Sequence, residues 1–104
     1  MTTETQNQKR IANTILQQLG GGRFTAMTGS KHYVAMKSGL GMKLRRNTSG
    51  ANYLRITLNS MDTYDMEFML ITMKSMKTKA LCEGIYDDML ASTFREQTGL
   101  NTNL

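Results

Sequence analysis

The sequence predicts an α+β fold: an antiparallel meander of four to five strands, with an N-terminal and a C-terminal helix packed on one face of the sheet. Three observations carry this. Apolar residues recur at helical spacing over residues 11–19. Two alternating runs fill residues 51–72, separated by polar turn residues, as expected for a half-buried antiparallel hairpin. Helical spacing then returns between residues 79 and 94.

Taken in order, residues 1–5 read as a frayed end, with Thr3 and Gln6 at the spacing of a capping box. Ile11, Ala12, Ile15, Leu16 and Leu19 form one apolar stripe, opposite Lys9, Arg10, Asn13 and Gln17. Gly20, Gly21 and Gly22 are expected to stop this helix and let the chain turn back, because glycine takes the left-handed closing conformation without steric cost. Short strands follow at 24–28, 33–37 and 41–46, with turns at Gly29-Ser30-Lys31 and Ser38-Gly39. In the third of these, Met42 and Leu44 lie on one side and Lys43 and Arg45 on the other. Asn47-Thr48-Ser49-Gly50 is a hairpin loop by composition.

That loop leads into the strongest signal in the chain. Leu54, Ile56 and Leu58 alternate with Tyr53, Arg55 and Thr57; beyond the turn, Tyr64, Met66, Phe68 and Leu70 form an apolar row opposite Asp65 and Glu67. A sheet with one apolar face needs a cover, and the two helices supply it. Residues 73–79 alternate methionine with lysine and fit either an extension of the last strand or a linker. Leu81, Cys82, Ile85, Tyr86, Met89, Leu90 and Phe94 fit one helical face, with Glu83, Asp87, Asp88 and Glu96 mostly on the other. Gly84 interrupts that helix at a cost of about 1 kcal/mol relative to alanine. Gly99 is placed to close it, leaving 100–104 as a flexible end. Residues 1–104 are expected to form a single domain, since division would leave no core.

A hydrophobic content of 39% against 20% charged residues argues for a globular chain over a disordered one. No apolar run approaches the ~20 residues that span a bilayer, and the polar first ten residues are no signal peptide. One cysteine, Cys82, excludes a disulfide framework, so a cytoplasmic setting is expected; a lone thiol in an apolar stripe reads as a small core residue. Ten methionines are unusual in so short a chain. Core filling and the start codon account for most, though methionine is also favoured at adaptable surfaces.

Charge is the most informative quantity. The net is +5, and between positions 5 and 61 there are nine Lys or Arg and no Asp or Glu. From Asp62 onward there are seven acids and four bases, so the chain is electrically two-sided.

Hydrolytic or metal chemistry needs His, Cys, Asp or Glu to converge on one atom. Here His32 sits in an expected turn beside Lys31, as a surface imidazole. Asp62 and Asp65 are spaced to share a magnesium ion, yet Asp and Thr are ordinary turn formers. Gly20-Gly21-Gly22-Arg23 follows a helix C-terminus, the wrong end of the dipole for an anion. Ser38-Gly39-Leu40-Gly41-Met42-Lys43 lacks the spacing of a phosphate loop. No catalytic residue, metal site or cofactor is expected, and the chain reads as non-enzymatic.

The basic face is the one constellation with physical weight. With Met42, Leu44, Leu54 and Ile56 inward, the opposite face of the sheet displays Lys43, Arg45, Tyr53 and Arg55, extended by Tyr33, Lys37 and Arg46. Cations interleaved with an aromatic ring suit single-stranded nucleic acid, whose phosphates take the charges while bases stack on the ring. Lys37, Lys43, Arg45, Arg46, Tyr53 and Arg55 are therefore the candidate nucleic-acid-binding residues. A half-covered sheet is polar outside in any case, and lysines protect its edges; the absence of acids over this half argues further for an anionic partner. Single-stranded DNA, RNA and an acidic protein surface all fit. Glu83, Asp87 and Asp88 mostly form a solvated face, but docked on the basic sheet of a second copy they would give a homodimer that occupies the same site.

Leu16-Gln17-Gln18-Leu19-Gly20-Gly21, Met27-Thr28-Gly29, Met61-Asp62-Thr63-Tyr64 with Glu67-Phe68, and the closing Glu96-Gln97-Thr98-Gly99-Leu100 resemble small phage and mobile-element proteins of unassigned function. The resemblance spans nearly the whole chain. Its motifs are structural in character, so no functional residue carries over. It implies a phage or integrated-element origin and a life inside a bacterial host cell. Two functions follow: a module that holds single-stranded nucleic acid on its basic face, or an inhibitor or modulator of a host protein acting through protein–protein contact.

Overall fold

The computed structural model describes the backbone of residues 3–102 and the side chains of residues 6–102. Helix α1 (Thr3–Leu19) carries the expected stripe, with Ala12, Ile15 and Leu19 buried and Ile11 and Leu16 packed beside them. It is already helical at Thr3, inside the stretch expected to fray. The capping box with Gln6 depends on the Thr3 side chain, which lies outside those described.

Gly20, at φ 130°, ends α1 but not the helical structure. Helix α2 (Gly21–Thr28) follows at once, so the strand expected at 24–28 is a helix. Phe24 and Thr28, four residues apart, are both fully buried, a helical spacing that the Phe-Thr-Ala-Met-Thr run conceals behind strand-forming residues. The Thr25 and Thr28 hydroxyls donate back to the carbonyls of Gly21 and Phe24. Phe24 meets Phe94 edge-on, ring centroids 4.9 Å apart. This tertiary contact overrides the local preference.

Strands β1 (Lys31–Met36), β2 (Gly39–Lys43), β3 (Tyr53–Leu58), β4 (Tyr64–Ile71) and β5 (Met76–Ile85) then form one antiparallel sheet in chain order. The hairpin at its centre is β3–β4, in register from Leu58 opposite Tyr64 to Tyr53 opposite Met69. Its inward row of Leu54, Ile56, Met66 and Phe68 is fully buried, and β2 adds Leu40 and Met42. Ile15, Leu19, Phe24, Leu90 and Phe94 cover that row in a single cluster, so the helices lie on one face. Each such fully buried side chain contributes about 1.5–3 kcal/mol relative to exposure.

The last helix is shorter than expected. Residues 79–85 belong to β5; after Tyr86 and one tight turn at Asp87–Met89, helix α3 (Leu90–Thr98) begins. The pairing of β4 with β5 shifts twice, once beside Lys79 and once beside Gly84. Each shift is a bulge that inserts an extra residue. The inward residues Ala80, Cys82 and Ile85 are therefore two and then three apart, which imitates helical spacing. Gly84, at φ 68°, serves the second bulge and interrupts no helix.

Other expectations shift by a few residues. Residues 72–75 form a turn and Met76 starts β5, so most of the Met-Lys stretch extends the sheet. His32 lies within β1 at φ 55°, where the pairing is irregular between Lys31 and Val34. Gly99 does close α3, at φ 74° with its N–H on the Arg95 carbonyl. Beyond it Leu100 packs on the core and Thr102 is buried, so the chain is seated through Thr102 and is no free tail from residue 100.

A meander places successive connections at opposite ends of the sheet. The entry to β1, the β2–β3 loop and the β4–β5 turn share one end; the β1–β2 turn, the β3–β4 loop and the exit from β5 share the other. Asn52 ties the first end together: its side-chain amide donates to the Ile71 carbonyl and accepts from the Ile71 N–H, both at 2.8 Å. Among the described residues no helix is long and apolar enough to cross a membrane.

Candidate nucleic-acid interface

The register of three strands builds the site on the sheet face away from the helices. Lys43 stands opposite Tyr53, and Lys31 stands opposite Lys43 on the other side. The Tyr53 ring lies over Gly41: a methyl group there would collide with the phenol oxygen and stand 3.0 Å from ring carbon Cζ. Only glycine leaves that space. Tyr53 is half-buried, so part of its ring remains open to solvent. Beside it runs a cleft of about 450 Å³ lined by His32, Val34, Lys43, Asn52, Tyr53 and Ile71.

Lys31 and Lys43 are both exposed. Like charges directly opposed on neighbouring strands are destabilising, and a bound anion relieves them. The Arg45 stem lies against Gly29, its Cδ within 3.0 Å of where a side chain would start, two residues from the beginning of β1. Arg45 and Arg46 also line a second cleft of about 430 Å³ with Asn47, Gly50 and Asn52.

Three predicted residues are placed differently. Arg55 is partly exposed and pairs across the strands with Glu67 at 3.4 Å, while its Nη2 lies 3.4 Å from the Met69 sulfur. Its charge is compensated, although an exposed pair of this kind is worth only about 0.2–1 kcal/mol. Lys37 occupies the β1–β2 turn at the opposite end of the sheet, roughly 17 Å from Lys43 along β2. Tyr33 does not extend the face at all. Its phenol shares a 2.7 Å hydrogen bond with Thr25 of α2, and burial there raises its pKa against the lowering effect of that bond.

The fold sorts charge by the end of the sheet. Lys31, Lys43, Arg45, Arg46, Lys74 and Lys77 gather at one end, and the connections there carry no acid. Asp62, Asp65, Glu83 and Asp87 lie at the other, with Lys37. Lys74 and Lys77 belong to the acidic half of the sequence, and only the β4–β5 hairpin returns them to the basic end. The alternation of Met and Lys over 73–79 was the signal for them, legible once that stretch is read as a hairpin.

The remaining chemistry is engaged structurally. Asp65 accepts from the Asn59 side chain at 3.0 Å and the Gly84 N–H at 3.1 Å, leaving Asp62 exposed in its loop. Among the described residues no group of three or more His, Cys, Asp or Glu is placed to hold a metal ion. Burial, and secondarily Glu96, pushes the Cys82 thiol up, so it is protonated at neutral pH. Compared with protein-family models, curated proteins and solved structures, the chain gives no match.

Proposed function

We propose that the chain is a non-enzymatic module that binds single-stranded nucleic acid at the basic end of its outer sheet face, within the bacterial host of the phage or mobile element its sequence resembles. The observation that carries this is the Tyr53 ring over Gly41, with Lys43 opposite it and Lys31 opposite Lys43. A base stacks on the open side of the ring. Phosphates take Lys31, Lys43, Arg45 and Arg46, and the planar Arg55 guanidinium, already balanced by Glu67, lies beside the next base. Stacking on an aromatic is worth about 1–3 kcal/mol per base and tolerates any sequence. An acidic host protein would satisfy the same cations, and tyrosine also anchors protein interfaces; nucleic acid is the reading that uses the ring and the cations together, through stacking and phosphate contacts.

Fluorescence anisotropy with labelled mixed-sequence oligonucleotides, single- and double-stranded, tests this. Binding should be saturable, favour the single strand and weaken with salt at a log–log slope of about −3 for four phosphates. Tyr53→Ala should weaken it about 5- to 150-fold, the stacking energy expressed as affinity. Lys43→Glu with Arg45→Glu should abolish it without lowering the melting temperature. Unchanged binding by that double variant, or none by the wild type even at low salt, would sink the proposal. Nuclease-resistant capture of a host protein by the basic end would then carry the modulator reading.

A further inference from the structure

We infer that the β4–β5 hairpin tip is a second contact for the same strand, extending the site from one base at Tyr53 to a path along the basic end; this rests on the nucleic-acid reading above. Residues 71–79 are exposed at every position, with Met73 fully so. The tip carries Lys74 and Lys77 beside Met73 and Met76, and no acid occurs between Glu67 and Glu83.

Two features show that the tip is built and not merely left over. Its turn is closed by hydrogen bonds: the Thr72 N–H donates to the Ser75 carbonyl at 2.8 Å, and the Thr72 hydroxyl accepts from the N–H groups of Lys74 and Ser75. Its base is clamped by Asn52 on Ile71, and those two residues also line the cleft beside Tyr53. A pre-ordered tip loses little freedom on binding. Met69 stands opposite Tyr53; β4 runs on two residues to Ile71, about 7 Å along the strand, and the turn that carries Met73 begins directly after it. A nucleic-acid strand leaving Tyr53 in this direction meets Met73 and Met76 with its bases and Lys74 with its phosphates, while Lys77, opposite Leu70, stands on the other side of the edge strand.

Other occupants fit less well. A few lysines and two methionines hold an anionic bilayer only marginally, since stable anchoring takes far more apolar burial. A second copy adding to the β5 edge would meet two bulges and Lys77 and Lys79, features that discourage edge pairing.

The test compares anisotropy titrations with oligonucleotides of about four and about twelve nucleotides, lengths within the usual range of single-strand sites. Wild-type affinity should rise at least about tenfold with length. Lys74→Gln should bind the short strand as the wild type does and lose part of that gain, with a salt slope on the long strand shallower by about 0.7. Met73→Ser with Met76→Ser should lose part of the gain and leave the slope unchanged. Equal wild-type affinity for both lengths, or variants indistinguishable from wild type on the long strand, would overturn the second contact while leaving the Tyr53 site standing. No binding of either length would overturn both. Co-sedimentation with phosphatidylserine vesicles that depends on Met73, with oligonucleotide affinity intact in the Met variant, would assign the tip to a bilayer instead.

Discussion

Gly39 and Gly41, two positions apart on β2, are both glycine for steric reasons, but the neighbours differ. A side chain at Gly39 would collide with the Ile56 carbonyl, backbone that cannot move aside. Gly39→Ala should therefore cost about 1–3 kcal/mol, seen as a lower urea midpoint at unchanged slope. A side chain at Gly41 meets only the end of Tyr53, which can swing away. Gly41→Ala should be milder in urea yet weaken oligonucleotide binding as Tyr53→Ala does; retained affinity would mean that the resting place of the ring is not what presents it. Three fully or partly buried weak acids contribute an alkaline sensitivity. Burial raises the pKa of Cys82 above its ordinary 9.0 and those of Tyr33 and Tyr64 above 10.0, with Asp87 and Asp62 adding to the rise at Tyr64. Folded, these groups stay neutral where the unfolded chain ionises. Their contribution is complete below about pH 9 and is lost as pH rises through the raised folded values. A melting series from about pH 7 to about pH 11 should show this alkaline decline, and Cys82→Ser with Tyr64→Phe should flatten it.

At the scale of elements, Gly84 separates the two readings of residues 79–94 by sign. In a continuous helix, Gly84→Ala would stabilise by about 1 kcal/mol. In the β5 bulge, at φ 68° with no neighbour within 4 Å of the added carbon, it should destabilise by about 1–2 kcal/mol from backbone strain alone. Gly84→Asn should cost less. The same element explains what could be read in advance. Helix α1 and the β3–β4 hairpin were legible because each buries one face at an unbroken period, Ile15 and Leu19 in one case, Leu54, Ile56, Met66 and Phe68 in the other. β5 was not, because its two bulges break the alternation and because Lys, Ala, Leu and Glu favour helix locally. α2 was hidden by its threonines, and the contact that seats it joins Phe24 to Phe94, some 70 residues away in the chain. Of the site, Lys43 and Tyr53 followed from strand alternation. The Arg55–Glu67 pair was readable too, since placing Leu58 opposite Tyr64 fixes it. Lys31 was out of reach, because its position depends on which strand ends meet, and Lys74 and Lys77 were legible only once residues 73–79 are read as a hairpin.

At the scale of the molecule, charge separated along the strands makes the ends act independently. Lys37 lies roughly 17 Å from Lys43 along β2, about two Debye lengths at physiological salt. Lys37→Glu at the acidic end should therefore change oligonucleotide affinity less than about twofold, while Lys43→Glu changes it strongly; anisotropy on the two single variants decides this. Comparable losses from both would mean that the ligand crosses the whole sheet. The separation also gives the molecule a front and a back before anything is touched. A polyanion draws the basic end toward itself and repels the other, so rotation is guided during approach and fewer encounters are wasted. The advantage lies in the speed of capture: stopped-flow association should slow steeply as ionic strength rises, with dissociation changing much less, and a strand exposed only briefly would be met the right way round.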